Sequence, residues 1–293
     1  MYMATEKMDS KELGLVLGQQ LLGVDDLHYG LWENDIEVSF NNVTKAQQRY
    51  TEKLLSAFPP PAAGVRILDI GCGTGHILSQ MLARGYQADG VIPAPGLSKL
   101  VQQRLQAFPG NTSKIFQCTF EEFPAAEYRG YYDVALFSES FQYIPMRESL
   151  PLLEQIVKPG GLVVICDFFK TEHHKDGQPG DRSFGGGHRL SNFYEALANS
   201  KLQLEIDQDI TKLVSPNIAL LNDLLMHKIK PVSETLGQFL QSNYPKSYWL
   251  ASKLLRKKLD RVQYKYFSGY RSAEIFERYK SYRFIVCRVP ASN

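Results

Sequence analysis

The chain of 293 residues has few cysteines: Cys72, Cys118, Cys166 and Cys287 stand far apart, with no CxxC pair. That excludes a disulfide framework and a cysteine-rich metal cluster, and it fits a reducing compartment. The chain also lacks a dominant charge. Its Lys and Arg number 33 against 31 Asp and Glu, a net +2, which excludes the broad positive footprint of a nucleic-acid binder. No stretch approaches the roughly 18 to 20 apolar residues of a membrane span. Residues 1–10 hold no apolar run behind a basic start, so no secretory leader is expected and the predicted location is cytoplasmic. No internal repeat or low-complexity segment is visible. What is abundant is aromatic side chains, with 16 Tyr and 16 Phe in a composition that is 44% hydrophobic. Such a surplus fills a large core and lines apolar pockets.

Apolar spacing predicts helices at residues 10–22 and 43–57, the second capped by Asn42 or Thr44. Between them lies an aromatic turn, His28-Tyr29-Gly30-Leu31-Trp32. Pro59-Pro60-Pro61 ends the second helix and forms a hinge. From Val65 strands at 65–70, 87–92, 114–118, 132–138 and 162–167 alternate with helices at 75–84, 96–107 and 147–157. Lys158-Pro159-Gly160-Gly161 reads as a turn. Alternation of this kind implies right-handed βαβ crossovers and a mostly parallel sheet buried on both faces. Residues 170–190, rich in Gly and holding His173, His174 and His188, read as a mobile loop. A helix at 191–199 and a strand at 202–207 follow. Residues 214–265 then read as helices alone, inserted before a final strand at 282–287 that is expected to join the sheet at its far side. The domain plan is a helical cap over 1–60, an α/β core over 61–212, a helical lid over 213–275 and a last core strand within 276–293.

The segment Val65-Arg66-Ile67-Leu68-Asp69-Ile70-Gly71-Cys72-Gly73-Thr74-Gly75 is the most specific in the chain. An apolar strand runs through Asp69 into a turn of alternating glycines, where bare backbone admits a ligand that a Cβ would block. The spacing is GxGxG, whereas a nicotinamide or flavin site uses GxGxxG and an acidic residue after the second strand. Neither is present, so an NAD-linked oxidoreductase is excluded. Asp69 suits an ammonium or sulfonium-bearing amino acid better than a phosphate.

This segment resembles motif I of the class I S-adenosylmethionine-dependent methyltransferases, whose consensus is close to VLDIGCGTG. The likeness extends over residues 65–210 and the last strand, including the Lys-Pro-Gly-Gly turn. The aromatic turn and the inserted helices resemble the branch that acts on sterols, tocopherols and microbial natural products, in which N-terminal helices and an insert cover the substrate. The resemblance implies a doubly wound, Rossmann-like, seven-stranded and mostly parallel sheet with an N-terminal helical cap and a helical lid. It implies S-adenosyl-L-methionine as cofactor, S-adenosyl-L-homocysteine as product, and a small organic acceptor methylated on O, N or C by in-line displacement. Gly71, Cys72, Gly73 and Gly75 would face the methionine and ribose, with Asp69 near the amino group, and Pro93, Ser138 and Tyr29 complete the implied cofactor site.

Two departures from the family stand out. Where relatives carry a ribose-binding carboxylate after the second strand, this chain has Ile92. A bond to a charged group is worth about 1.5 to 3 kcal/mol, so its loss costs roughly tenfold or more in affinity. Asp89 points elsewhere by strand alternation. Where relatives carry Asp after the third strand, this chain has Thr119, followed by Phe120, whose N–H would meet the adenine ring, and by Glu121 as a fallback acceptor.

At the end of the fourth strand, Ser138-Glu139-Ser140-Phe141-Gln142-Tyr143 lacks the Asn/Asp-Pro-Pro-Tyr signature of amino-methylating nucleic-acid enzymes. Glu139 and Tyr143 are the candidates for contacting or deprotonating the acceptor, with His28 a third; each has a structural alternative as a cap, core or satisfied residue. His173, His174 and His188 read as solvated side chains rather than a metal site. The run Lys253-Leu254-Leu255-Arg256-Lys257-Lys258 is either an outer helix face or a receiver for an acidic substrate group. Phe239, Tyr244, Tyr248, Trp249, Tyr264 and Phe267 are either lid core or substrate wall. No metal is expected, and the chain is expected to be a monomer or homodimer. The competing function is a cofactor-binding protein, or an enzyme with a modified sulfonium ligand, that transfers no methyl group.

Overall fold

The computed structural model describes residues 28–61 and 64–291; the helix expected at 10–22 lies outside the described residues. The strands are β1 (Arg66–Ile70), β2 (Gln87–Val91), β3 (Ile115–Phe116), β4 (Tyr132–Ser138), β5 (Val157–Lys170), β6 (Gln203–Asp209) and β7 (Lys280–Arg288). Helix α1 (Val43–Leu55) precedes the sheet, and α2 (His76–Ala83), α3 (Pro95–Leu105), α4 (Met146–Ile156) and α5 (Leu190–Ala198) connect its strands. Between β6 and β7 run α6 (Thr211–Val214), α7 (Pro216–Leu224), α8 (Lys230–Asn243), α9 (Pro245–Phe267) and α10 (Ala273–Tyr279), with a π-helical turn at Leu225–Ile229.

The strands form one sheet in the order β3-β2-β1-β4-β5-β7-β6. The pairs from β3 through β5 are parallel, and β7 is antiparallel to both of its neighbours. The order reverses between β1 and β4, which places a ligand crevice outside their carboxyl ends. The seven-stranded doubly wound sheet is thus as expected, but the last strand is not at the far side. It inserts between β5 and β6. The physical reason is in its side chains: Phe284, Ile285, Val286 and Cys287 are all buried, so both faces and both edges of β7 need cover. The more polar β6, whose residues are mostly exposed, takes the edge instead.

Two further boundaries differ from the sequence expectation. Lys158-Pro159-Gly160-Gly161 is part of β5, which begins at Val157, and the register against β4 shifts between Tyr132 and Val134 to accommodate it. Lys158 Nζ holds the spot by reaching both carboxylate oxygens of Asp133 at 2.8 Å. The third strand shrinks to Ile115–Phe116, because Lys114 N turns aside to Asp89 Oδ1 and the chain enters a 3-10 turn at Phe120.

Alternation along the strands divides the core into two layers. On one face Ile67, Leu136, Val164, Tyr282, Phe284 and Val286 pack with Tyr50 and Leu54 of α1. On the other, Leu68, Phe137, Ile165 and Ile285 pack with Leu153 of α4 and Phe193 of α5. The aromatic turn is clamped onto this frame. Leu31 N donates to Ala46 O and Trp32 N to Leu213 O, both at 2.8 Å. The Asn217 side chain accepts from Gly30 N at 2.9 Å and donates to Gly30 O at 2.7 Å.

Phe284 is 2% exposed in the strand that the rest of the sheet encloses. Phe284→Ala is expected to lower stability by about 3 to 5 kcal/mol in urea unfolding. A loss under about 1 kcal/mol would contradict the internal placement of β7.

Candidate active site

Beyond Ile70 the chain enters the left-handed region three times, with φ of +81° at Gly71, +54° at Gly73 and +77° at Gly75, where α2 begins. The turn hangs on β2: the N–H groups of Gly71 and Cys72 both donate to Val91 O, at 2.8 and 3.2 Å. A Cβ on Gly71 would lie 2.4 Å from the Cβ of Ser140, the residue that follows Glu139 after β4. Ser140 Oγ in turn donates to Ile70 O. The turns after β1 and β4 therefore interlock, and only glycine fits at the junction. Asp69, one residue before the end of β1, is 1% exposed.

Asp69, Ile92 and Thr119 lie at or just beyond the carboxyl ends of three adjacent strands, β1, β2 and β3. Ile92 is buried, in the apolar cluster that also holds Cys72, Leu78 and Val101, whereas Pro93 is exposed. Thr119 is exposed and its hydroxyl donates to Glu122 Oε2 at 3.1 Å. Phe120 is buried, its ring edge-on to Phe137 at 5.7 Å. Glu121 is half-buried beside it.

Glu139 has φ of +56°, an uncommon conformation for a residue other than glycine and one of the places where backbone strain gathers at functional sites. Its Oε1 accepts from Tyr29 N and from the Tyr282 hydroxyl, each at 2.7 Å. That one oxygen joins the aromatic turn, the end of β4 and the start of β7. Tyr282 continues the network to the Tyr50 hydroxyl at 3.2 Å, which contacts Ser138 Oγ at 3.2 Å. Burial, with the Glu139 carboxylate adding to it, pushes the phenols of Tyr29 and Tyr282 well above their ordinary value. The Tyr282 hydroxyl stays protonated at neutral pH and serves as a donor, not as a base. Around it the rings of Tyr29, Phe168, Phe276 and Tyr282 form a cluster with centroids 5.9 to 6.4 Å apart.

Of the other candidates, Tyr143 is 59% exposed rather than core. His28 is buried, its ring stacked on Tyr50 at 4.5 Å and its Nδ1 2.9 Å from Tyr29 O, which is a positioning role. His188 is 2.9 Å from Ile144 O and 3.1 Å from Phe141 O, and His173 is exposed. The loop expected to be mobile is anchored: Phe184 is buried, and Lys280 Nζ donates to Gly185 O at 3.0 Å and Gly186 O at 2.7 Å. Of the aromatics expected as lid core or substrate wall, Phe239, Tyr244 and Trp249 are more than half exposed on α8, α9 and their junction, whereas Tyr264 and Phe267 are half-buried. The basic run lies on α9 and is likewise almost wholly exposed.

Sequence reasoning missed Tyr282, Phe168, Phe276, Asp167 and Lys280. Asp167 left a signal, a lone carboxylate in the apolar run Leu162 to Phe169. It is fully buried and accepts from Gln142 N at 2.9 Å and Phe168 N at 2.8 Å. Burial raises its pKa to about 7 in spite of those bonds, and burial lowers that of Lys280 to about 7. A cleft of about 720 Å³ lined by Arg66, Gln87, Lys114 and Tyr131 opens at the opposite, amino ends of the strands. It is remote from the glycine turn and from the crevice that this topology makes available.

A family model described as a methyltransferase domain matches residues 43–202. A ubiquinone biosynthesis O-methyltransferase of Chromobacterium violaceum is 34% identical over 110 residues, covering 37% of this chain and 45% of that protein. The chain spans about half the length of the curated relatives it matches. Among solved structures, a putative sarcosine dimethylglycine methyltransferase from Galdieria sulphuraria has a TM-score of 0.67 at 17% identity, covering 94% of this chain and 97% of that one. The geranyl diphosphate C-methyltransferase of Streptomyces coelicolor has a TM-score of 0.63 at 15% identity, covering 94% and 91%. At these identities the structural likeness is one of fold.

The buried titratable groups set a pH dependence of stability. With its folded pKa raised, Asp167 keeps a proton that the unfolded chain loses, so its contribution falls as pH rises from about 4 to 7. With its folded pKa lowered, Lys280 lacks a proton that the unfolded chain holds, so its contribution rises from about pH 7 to 10.5. Asp167→Asn is expected to flatten the acid limb and Lys280→Met the alkaline limb in urea unfolding against pH. Limbs identical to those of the parent would refute the assignment.

Proposed function

The chain belongs to the methyltransferase-domain family, the class I S-adenosylmethionine-dependent methyltransferases, and from that premise we propose that it methylates an O, N or C atom of a small apolar or aromatic acceptor. The observation that carries the reading is the interlock of the Gly71 turn with the turn after β4, which sets a Cβ-free cradle beside a carboxylate held at Glu139. The residues present fit the cofactor at its amino-acid end: left-handed glycines give backbone access, and Asp69 places a buried carboxyl group there for an ammonium group. At the nucleoside end Ile92 and Pro93 offer apolar contact and Thr119 a hydroxyl.

Bound S-adenosylmethionine supplies an electrophilic methyl on a sulfonium sulfur and leaves as S-adenosylhomocysteine. The chain's own part is to hold the acceptor in line and to keep water away. The half-buried Tyr29 and Phe168 rings, backed by the fully buried Phe276 and Tyr282, are the proposed acceptor wall. Glu139 is the proposed group that orients the acceptor and takes its proton, with Tyr29 N–H and the Tyr282 hydroxyl fixing the carboxylate. The names of the ubiquinone-pathway relative and of the geranyl diphosphate neighbour support an acceptor of this class.

The second reading, cofactor binding without transfer, is favoured by Ile92 and Thr119 standing where the family carries carboxylates. Incubation with S-adenosylmethionine and a panel of phenols, catechols and isoprenoid acceptors, with S-adenosylhomocysteine read by mass spectrometry, separates the two. Acceptor-dependent product is expected; binding without product on every acceptor favours the second reading. On a turned-over acceptor, Glu139→Gln is expected to lower kcat by roughly 10²- to 10⁴-fold while cofactor affinity stays within a few fold. A fall of less than about tenfold would limit Glu139 to positioning.

A further inference from the structure

The charge of the chain is distributed unevenly. Residues 225–267 hold nine Lys and Arg against Glu234 and Asp260, a net +7, so the remainder carries a net −5 within a total of +2. Those residues are the π turn and the α8–α9 hairpin, and neither helix buries a single residue. Each packs mainly on the other and on the π turn. Val232, Leu236, Phe239 and Leu240 recur at helical spacing along one face of α8 and are 38% to 69% exposed. On α9, Tyr248, Leu255, Leu259 and Val262 share one face, exposed by 36% to 49%, and Lys253, Lys257, Arg261 and Lys265 share the opposite one, together with Leu250 and Leu254 at 52% and 75%. Trp249 flanks the apolar stripe at 61% exposure, with Lys253 Nζ 4.9 Å from its ring centroid.

We propose that the α8–α9 hairpin is a docking surface for an anionic lipid bilayer, along which α9 lies in the plane of the interface. A basic helix with an opposed apolar stripe and a flanking tryptophan is the composition of interfacial helices, and no helix among the described residues is long and apolar enough to cross a membrane. Charge complementarity selects the occupant. A second copy of this chain would set one net-positive hairpin against another. A nucleic acid would meet the cations and leave the aliphatic stripes of Val232, Leu236, Leu255 and Leu259 without a partner. Anionic lipid headgroups meet the cations while the acyl boundary takes the stripes. The net −5 of the remaining chain is repelled by the same surface, which orients the protein hairpin first.

The test is flotation of the full-length protein with vesicles of phosphatidylglycerol and phosphatidylcholine, against vesicles of phosphatidylcholine alone. Binding to the anionic vesicles only, weakening from about 0.1 M to about 0.5 M salt, is expected. At about fivefold per cation, the quadruple variant Lys253→Gln, Lys257→Gln, Arg261→Gln, Lys265→Gln is expected to lose more than a hundredfold in partitioning. Its thermal shift with S-adenosylhomocysteine should match the parent, which certifies the fold. The chain has two tryptophans, and Trp32 is buried, so the blue shift of emission on anionic vesicles is expected to vanish in Trp249→Phe. Absence of binding, equal binding to neutral vesicles, a hairpin-dependent dimer that excludes lipid, or binding to RNA in preference to vesicles would each overturn the proposal.

Discussion

The close approach of Gly71 to Ser140 is the constraint on which the site depends. A side chain at residue 71 would collide with Ser140, and the left-handed backbone there already disfavours one. Because the position is glycine, the turn after β1 can lean on the turn after β4, and Ser140 Oγ closes the gap onto Ile70 O. That contact decides where Glu139 stands, since it is the residue before Ser140. It also gives a reason for the unusual φ of Glu139: the chain must reverse within one residue after β4 to reach the junction.

A second tie builds on the first. Glu139 Oε1 gathers a backbone N–H from the aromatic turn and a hydroxyl from β7, two segments separated by more than 250 residues of chain. An aromatic cluster is thereby assembled from sequence-distant pieces: Tyr29 from the aromatic turn, Phe168 from β5, Phe276 from α10 and Tyr282 from β7. Beyond them the hairpin of α8 and α9 departs from the body with its apolar stripes in solvent. The inserted helices therefore divide into α7 and α10, which pack on the core, and a basic outer pair with a different environment to meet.

The fold was legible because strand and helix periods alternate cleanly from Val65 to Asp167 and because Val65 to Gly75 admits few readings. Strand boundaries at β1 and β4 follow from apolar runs that end at Gly71 and Ser138. The position of β7 was not legible, since a strand's neighbours depend on crossover geometry that no local pattern encodes; its two-sided apolar run was nonetheless a sign of an interior place. Within the site, Asp69, the glycines and Glu139 were readable as polar or Cβ-free residues at strand ends. Tyr282, Phe168 and Phe276 were not, because an aromatic residue that packs beside Glu139 has the same local pattern as one anywhere in a core. The hairpin aromatics differ in the opposite sense: read as lid core or substrate wall, Phe239, Tyr244 and Trp249 are more than half exposed, because burial requires a partner surface that the sequence alone does not specify.

The Asp69 and Gly71 turn is proposed to hold the amino-acid end of a sulfonium nucleoside. Calorimetric titration of S-adenosylhomocysteine into the parent and into Asp69→Asn tests this most directly, the substitution keeping shape while removing charge. Saturable binding by the parent, weakened at least about tenfold in Asp69→Asn, is predicted from the 1.5 to 3 kcal/mol typical of a hydrogen bond to a charged group. No heat from a folded parent at millimolar ligand, or equal affinity in the two proteins, would contradict the account.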